Sequence, residues 1–165
     1  MRRVLAALGA ALAMTGCSRN DQATPAPVAE PSVVVVDSRI VEGADLCTLA
    51  TAEELEWLLG ERLTRRPLPD PVDPSACSAS FTATTVSLAG RTSASGVRAV
   101  VAGNTAFADA GATGCQVSVA LLPGSTERAG SYLSVGVVRA RADRSRDCRT
   151  AGRVADYLLR QLPRH

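Results

Sequence analysis

Five cysteines, and where they stand, constrain this chain more than any other feature. Cys17 closes an apolar leader, MRRVLAALGAALAMTGC, while Cys47, Cys77, Cys115 and Cys148 are spread through the remainder with no CxxC pair among them. The leader carries Arg2 and Arg3 and then an uncharged run over 4–14. That run is too short for a permanent membrane helix, which needs about 20 residues; it has the size of the apolar segment of a signal peptide. With Cys17 set aside, an even set of four cysteines in an exported chain reads as two disulfides. A Cys₄ zinc site is the weaker reading, because the cysteines are far apart and the one histidine, His165, is the last residue. Structural bridges are likewise preferred over a redox pair, which is usually a CxxC. No metal and no cofactor are therefore expected.

The residues Met14-Thr15-Gly16-Cys17 resemble the lipobox of bacterial lipoproteins. The resemblance implies cleavage after Gly16 and a thioether-linked diacylglycerol on Cys17, with palmitate-type acyl chains. Two chains supply the pair of apolar anchors that stable attachment needs, at ~0.8 kcal/mol per buried CH₂. On this reading 1–16 are a signal peptide and 17–32 the lipidated cysteine with a disordered Pro/Ala-rich tether. Residues 33–165 are then one domain on the extracytoplasmic face of the cell membrane.

Only 3% of residues are aromatic, so the core must be built from Val, Leu and Ala. A formal net charge of +2 points to neither nucleic acid nor an acidic substrate. The valine run at 33–36 is expected to dock on the domain, since an exposed β-branched run is an aggregation hazard. Thr51-Ala52-Glu53-Glu54 has the form of a capping box. Ala52, Leu55, Leu58 and Leu59 then recur at helical spacing up to Gly60, a natural left-handed cap. Trp57 lies off that face: either it covers the core's edge or it is an exposed anchor for a partner. Residues 63–75 hold Pro67, Pro69, Pro71 and Pro74, which exclude a helix or a central strand and predict an extended loop. Arg65 and Arg66 make that loop locally basic and a possible binding element.

Period-two alternation predicts strands at 79–86, 116–121 and 132–139, and the run VRAVVA at 97–102 reads as another. Residues 103–114, rich in Gly and Ala, read as a loop. Arg139, Arg141, Arg144, Arg146 and Arg149, near Asp143 and Asp147, read as a solvated segment, with anionic lipid headgroups or wall polymers as the alternative role. After Cys148, the apolar set Ala151, Val154, Ala155, Leu158, Leu159 and Leu162 predicts an amphipathic helix ended by Pro163. The fold class expected is α+β: an antiparallel sheet of about four strands with two helices packed on one face.

The two helical regions echo each other. Asp45-Leu46-Cys47 leads to Trp57-Leu58-Leu59, and Asp147-Cys148 leads to Tyr157-Leu158-Leu159. An economical arrangement staples each helix start to a strand start, Cys47–Cys77 and Cys115–Cys148, but three connectivities are open to four cysteines. The D-x-C-x-L-x-T-x-x-E-L motif at 45–55 with Gly60, together with Gly114-Cys115-Gln116-Val117-Ser118-Val119 and the segment from Asp147, resembles an actinobacterial lipoprotein family of unknown function, the DUF3558 type. The resemblance implies an exported lipoprotein and supplies no catalytic residues.

Two functions follow. The first is a non-enzymatic binding or interaction module at the bacterial cell envelope, anchored through Cys17, with an envelope protein or small ligand as partner. The sheet's second face or the proline-rich segment would be its site. The alternative is a secreted hydrolase. A Ser-His-Asp set is poorly served by a terminal His165, and the carboxylates for sugar cleavage would come from Glu53, Glu54, Glu56 or Asp70.

Overall fold

The structure, a computed structural model, describes residues 32–165 apart from Val72 and Pro74. The leader, Cys17 and the tether to residue 31 lie outside the described residues. In chain order the elements are α1 (Ala52–Leu59), β1 (Leu63–Pro69), β2 (Ala76–Phe81), β3 (Thr84–Arg91), β4 (Val97–Val101), β5 (Asn104–Ala110), β6 (Gly114–Ala120), β7 (Tyr132–Arg139) and α2 (Arg144–Gln161). All strands pair antiparallel in one sheet of order β1-β2-β3-β7-β6-β5-β4. The fold is α+β as expected, but the sheet has seven strands, not about four.

Three local features account for the difference. The predicted strand at 79–86 is a hairpin: Ala79 pairs with Val86 and Ser80 with Thr85, so the chain reverses at Phe81–Thr84. The inward set passes from Cys77, Ala79 and Phe81 to Thr84, Val86 and Leu88. No Gly or Pro marks that turn. The predicted loop at 103–114 holds β5, whose alanines have little strand propensity but which is paired on both sides, by β4 and β6. It is entered through Ala102 and Gly103 at φ 51° and 85°, the two positive angles of a type I′ hairpin turn. The predicted loop at 63–75 holds β1. Its prolines are tolerated because β1 is an edge strand, and its register against β2 shifts twice.

The helices follow their caps. Thr51 accepts from Glu54 N while Glu54 reaches back to the Thr51 N–H, and Gly60 closes α1 in the left-handed region. Leu55, Leu58 and Leu59 are buried. Helix α2 begins at Arg144, not after Cys148. Asp143 is its N-cap, and the Asp147 carboxylate accepts from the Asp143 N–H at 3.0 Å. The segment expected to be solvated is thus split: Arg139 ends β7 with its side chain nearly buried, and Asp147 is fully buried, while Arg141, Arg144, Arg146 and Arg149 are exposed.

Both helices share one core with the sheet. Val86, Leu88, Val117, Val119, Leu133, Val135 and Val137 meet Leu55 and Leu58 of α1 and Val154, Ala155, Leu158 and Leu159 of α2. On the other face Phe107, Ala120 and Tyr132 form a small cluster, covered by Val33, Val35 and Ala94. The valine run therefore docks on the domain, with the Thr105 N–H donating to the Val34 carbonyl at 2.7 Å, without forming a strand.

Candidate functional site

Two recesses stand out on the described surface, and neither is the sheet's second face. The first is a groove of about 570 Å³ between α1, α2 and the end of β4. Its floor is Val100, Val101 and Ala102; Trp57 and Leu58 wall it from α1, and Arg149, Arg153 and Tyr157 from α2. Trp57 is 76% exposed, so it does not cover the core's edge. Tyr157 is joined to Glu54 by a hydrogen bond that holds the Glu54 carboxyl below, and the phenol above, their ordinary values. The two echoed aromatics, Trp57 and Tyr157, thus line one groove. The sequence signal for this was the shared aromatic-Leu-Leu ending of the two helices.

The second recess is an open cleft of about 720 Å³ between the 41–46 segment and the ends of β3 and β7. Val41, Leu46, Pro69 and Gly90 give it apolar walls, and Ser75, Arg91, Thr92 and Ser131 bring polar groups to it. Ser131 is 7% exposed, and its hydroxyl has no hydrogen-bond partner. A buried hydroxyl without a partner carries a desolvation penalty of about 1–3 kcal/mol, and this one lies just beneath the wall of the cleft. Arg91 lies 3.7 Å from Asp73, with both side chains well exposed to solvent. Asp73 is held below the ordinary carboxyl value first by the Ser75 hydroxyl, then by the Ser75 N–H and last by Arg91. Glu42 and Asp45 stand on the rim. No sequence pattern pointed to this cleft, because its lining comes from five separated segments.

A third polar cluster is sealed inside. Arg139 lies 3.2 Å from Glu61 and, through Nε, 2.9 Å from the Asp147 carboxylate. The second contact is an ion pair and not an aligned hydrogen bond, since neither atom has a hydrogen-bond partner of adequate geometry. Glu61 also accepts from the Thr84 hydroxyl at 2.7 Å and the Ala83 N–H at 3.0 Å. With its side chains from 0 to 14% exposed, this triad is a clasp between elements and offers nothing to a substrate.

The remaining expected residues are placed as follows. Arg65 and Arg66 sit exposed on β1, at the opposite sheet edge from β4, and line neither recess. Cys47 is bonded to Cys77, and Cys115 to Cys148, with Cα separations of 5.3 and 5.0 Å. Cys77 and Cys115 stand inside β2 and β6, and Cys148 inside α2, in place of just ahead of them. Glu54 closes the α1 cap, Glu56 accepts from the Leu63 N–H at 2.7 Å and Asp70 from the Asp73 N–H at 3.2 Å. The His165 N–H donates to the Ser38 carbonyl. Among the described residues no group of three His, Cys, Asp or Glu is arranged to hold a metal ion, and no helix is long and apolar enough to cross a membrane.

Compared with known proteins, the chain matches no family model, no curated protein and no solved structure.

Proposed function

We propose that this chain is a non-enzymatic binding module of the bacterial envelope, exported and anchored through lipid on Cys17, with the cleft over Ser131 as its ligand site. The observation that carries the binding reading is the Ser131 hydroxyl, buried and unpartnered at the wall of a 720 Å³ cleft. A recess with apolar walls and a few convergent polar groups is the usual form of a small-molecule site. Two bonded cysteine pairs suit the oxidising compartment that export implies. The family resemblance of the 45–60 motif fits the same address.

Three of the four carboxylates named for the hydrolase alternative have structural hydrogen bonds. Glu54, Glu56 and Asp70 each accept a main-chain hydrogen bond in the fold, and His165 lines neither recess.

Two measurements test the proposal. Intact mass of the membrane-extracted protein should give residues from Cys17 plus lipid; an unprocessed chain would remove the anchor and the address. Thermal-shift screening of small carboxylates and alcohols should find a ligand whose effect fades in Ser131→Ala and in Arg91→Ala. A ligand indifferent to both changes, or none at all, removes the cleft from the proposal.

A further inference from the structure

We infer that the outer edge of β4 takes an extended acidic segment of another protein as an added strand, laid along the Trp57 groove against α2. This surface is separate from the Ser131 cleft and stands or falls without it.

Strand β4 has β5 on one side and no strand on the other among the described residues. Its five residues hold one regular register with β5, without a bulge and without a proline. The two-residue turn at Ala102-Gly103 makes Val101–Asn104 the hydrogen-bonded pair, so by alternation the N–H and C=O of Val100 point away from β5. Val97 and Val100 are 76% and 72% exposed. Native sheets ordinarily blunt such an edge, since it templates strand addition. The Trp57 groove runs beside this edge, so an added strand would pair with β4 and place alternate side chains against α2, the geometry of β-augmentation.

Charge selects the partner. Arg149 and Arg153 look into the groove, while its one carboxylate, Asp156, is paired with Arg160 at 3.1 Å. Among the described residues Arg149 has no salt-bridge partner. Alternation along the added strand puts acidic residues on the α2 side and apolar ones beside Val100. A second copy of β4 fits less well: its sequence, VRAVV, carries no acidic residue to meet Arg149 and Arg153 on the α2 side.

Trp57 is the only tryptophan, so its emission reads the groove directly. The probe is a blocked peptide of alternating glutamate and valine, about eight residues long to match a strand, titrated into the full chain in detergent. A saturable change in Trp57 emission is expected, absent for the lysine–valine counterpart. Affinity should fall about tenfold in Val100→Pro, which deletes one outward N–H, and by a similar factor in Arg149→Glu. Circular dichroism checks that each variant folds; Arg149→Glu alters an exposed side chain and keeps the test open if the proline is not tolerated. No response to the glutamate peptide, an equal response to the lysine peptide, or unchanged affinity in folded variants overturns the inference. So does sedimentation as a dimer that blocks the peptide, which would give the edge to a second copy.

Discussion

Strands β1–β3 and strands β4–β7 each hold one helix through one disulfide, yet they finish their outer edges in opposite ways. In the first half Cys47–Cys77 ties the approach to α1 onto β2; in the second Cys115–Cys148 ties β6 to the second turn of α2. The outer strand of the first half, β1, carries Pro67 and Pro69 and two register shifts, so it lacks two N–H donors and cannot template a neighbour. The outer strand of the second half, β4, is regular and bears exposed valines. A chain that blunts one edge with prolines and bulges has the means to blunt the other. That β4 stays open beside a tryptophan groove argues that the edge is kept for a partner.

The halves meet along the β3–β7 ladder, and the Glu61–Arg139–Asp147 triad clasps that joint. Breaking it should give the largest effect. Arg139→Ala leaves the fully buried Asp147 without its cation, and removing one partner of a buried ion pair costs about 3–5 kcal/mol. Urea unfolding would measure the loss. Hydrogen exchange should show protection falling in both halves together; a loss confined to α2 would mean the triad is a local cap and no joint.

The disulfides come next and separate the halves. Their loops are nearly equal, 30 and 33 residues, so chain entropy assigns each about 3–4 kcal/mol. The context differs. Helix α1 has eight residues, too few to persist unpacked, whereas α2 has eighteen and lies on a fully buried stripe. Replacing Cys47 and Cys77 by serine should therefore release α1 and its approach locally, ahead of global unfolding. Replacing Cys115 and Cys148 should lower the global midpoint with α2 still formed. Exchange rates of α1 and α2 amides in the two variants decide the point, and matching patterns would show that the halves are equivalent.

The same contrast bounds what the residues disclosed in advance. Helix α1 was legible to the residue because Thr51, Glu54 and Gly60 state both ends chemically. Helix α2 was legible along its stripe but not at its start: Asp147 looks like a surface charge in sequence, and only the tertiary partner Arg139 makes it a buried one. The strands of the second half at 97–102, 116–121 and 132–139 were readable because valine recurs there; β5 was not, because Ala106, Ala108 and Ala110 carry no strand signal and are held by their neighbours. The hairpin at 82–83 lacks turn residues, and β1 was hidden by the prolines that suit it to an edge. As for sites, Trp57 was legible as off-face, while the Ser131 cleft depends on packing between distant segments, which no local pattern encodes.

A smaller effect tests the turn that presents β4. Ala102 sits at φ 51°, where an L-residue other than Gly or Asn is disfavoured by roughly 1–2 kcal/mol. Ala102→Gly removes that cost against a gain in unfolded-state entropy of about 0.5–1 kcal/mol. A net stabilisation of about 1 kcal/mol or less is expected by thermal unfolding. Destabilisation would mean that the Ala102 methyl contributes packing to the groove that outweighs its strain.

The smallest effect lies where the two helices touch. Glu54 is held below the ordinary glutamate value, first by the Tyr157 hydroxyl and then by the Thr51 main-chain and hydroxyl groups, while Tyr157 is held above its own. The native state thus prefers Glu54 ionised and Tyr157 neutral. For a lowered carboxyl, the stabilisation is whole above the unfolded value of about 4.3 and is lost as pH falls through the lower native one. For a raised phenol it is whole below about 10 and is lost as pH rises through the higher native value. Stability should be flat between those limits and fall at both ends, and Glu54→Gln should soften the acid fall while lowering the plateau slightly. Because the cap belongs to α1 and the phenol to α2, Tyr157→Phe should weaken the acid fall as well, leaving the part that Thr51 supplies. An acid limb untouched by Tyr157→Phe would show that the cap alone sets Glu54, and that the two helices are coupled by packing and not through this bond.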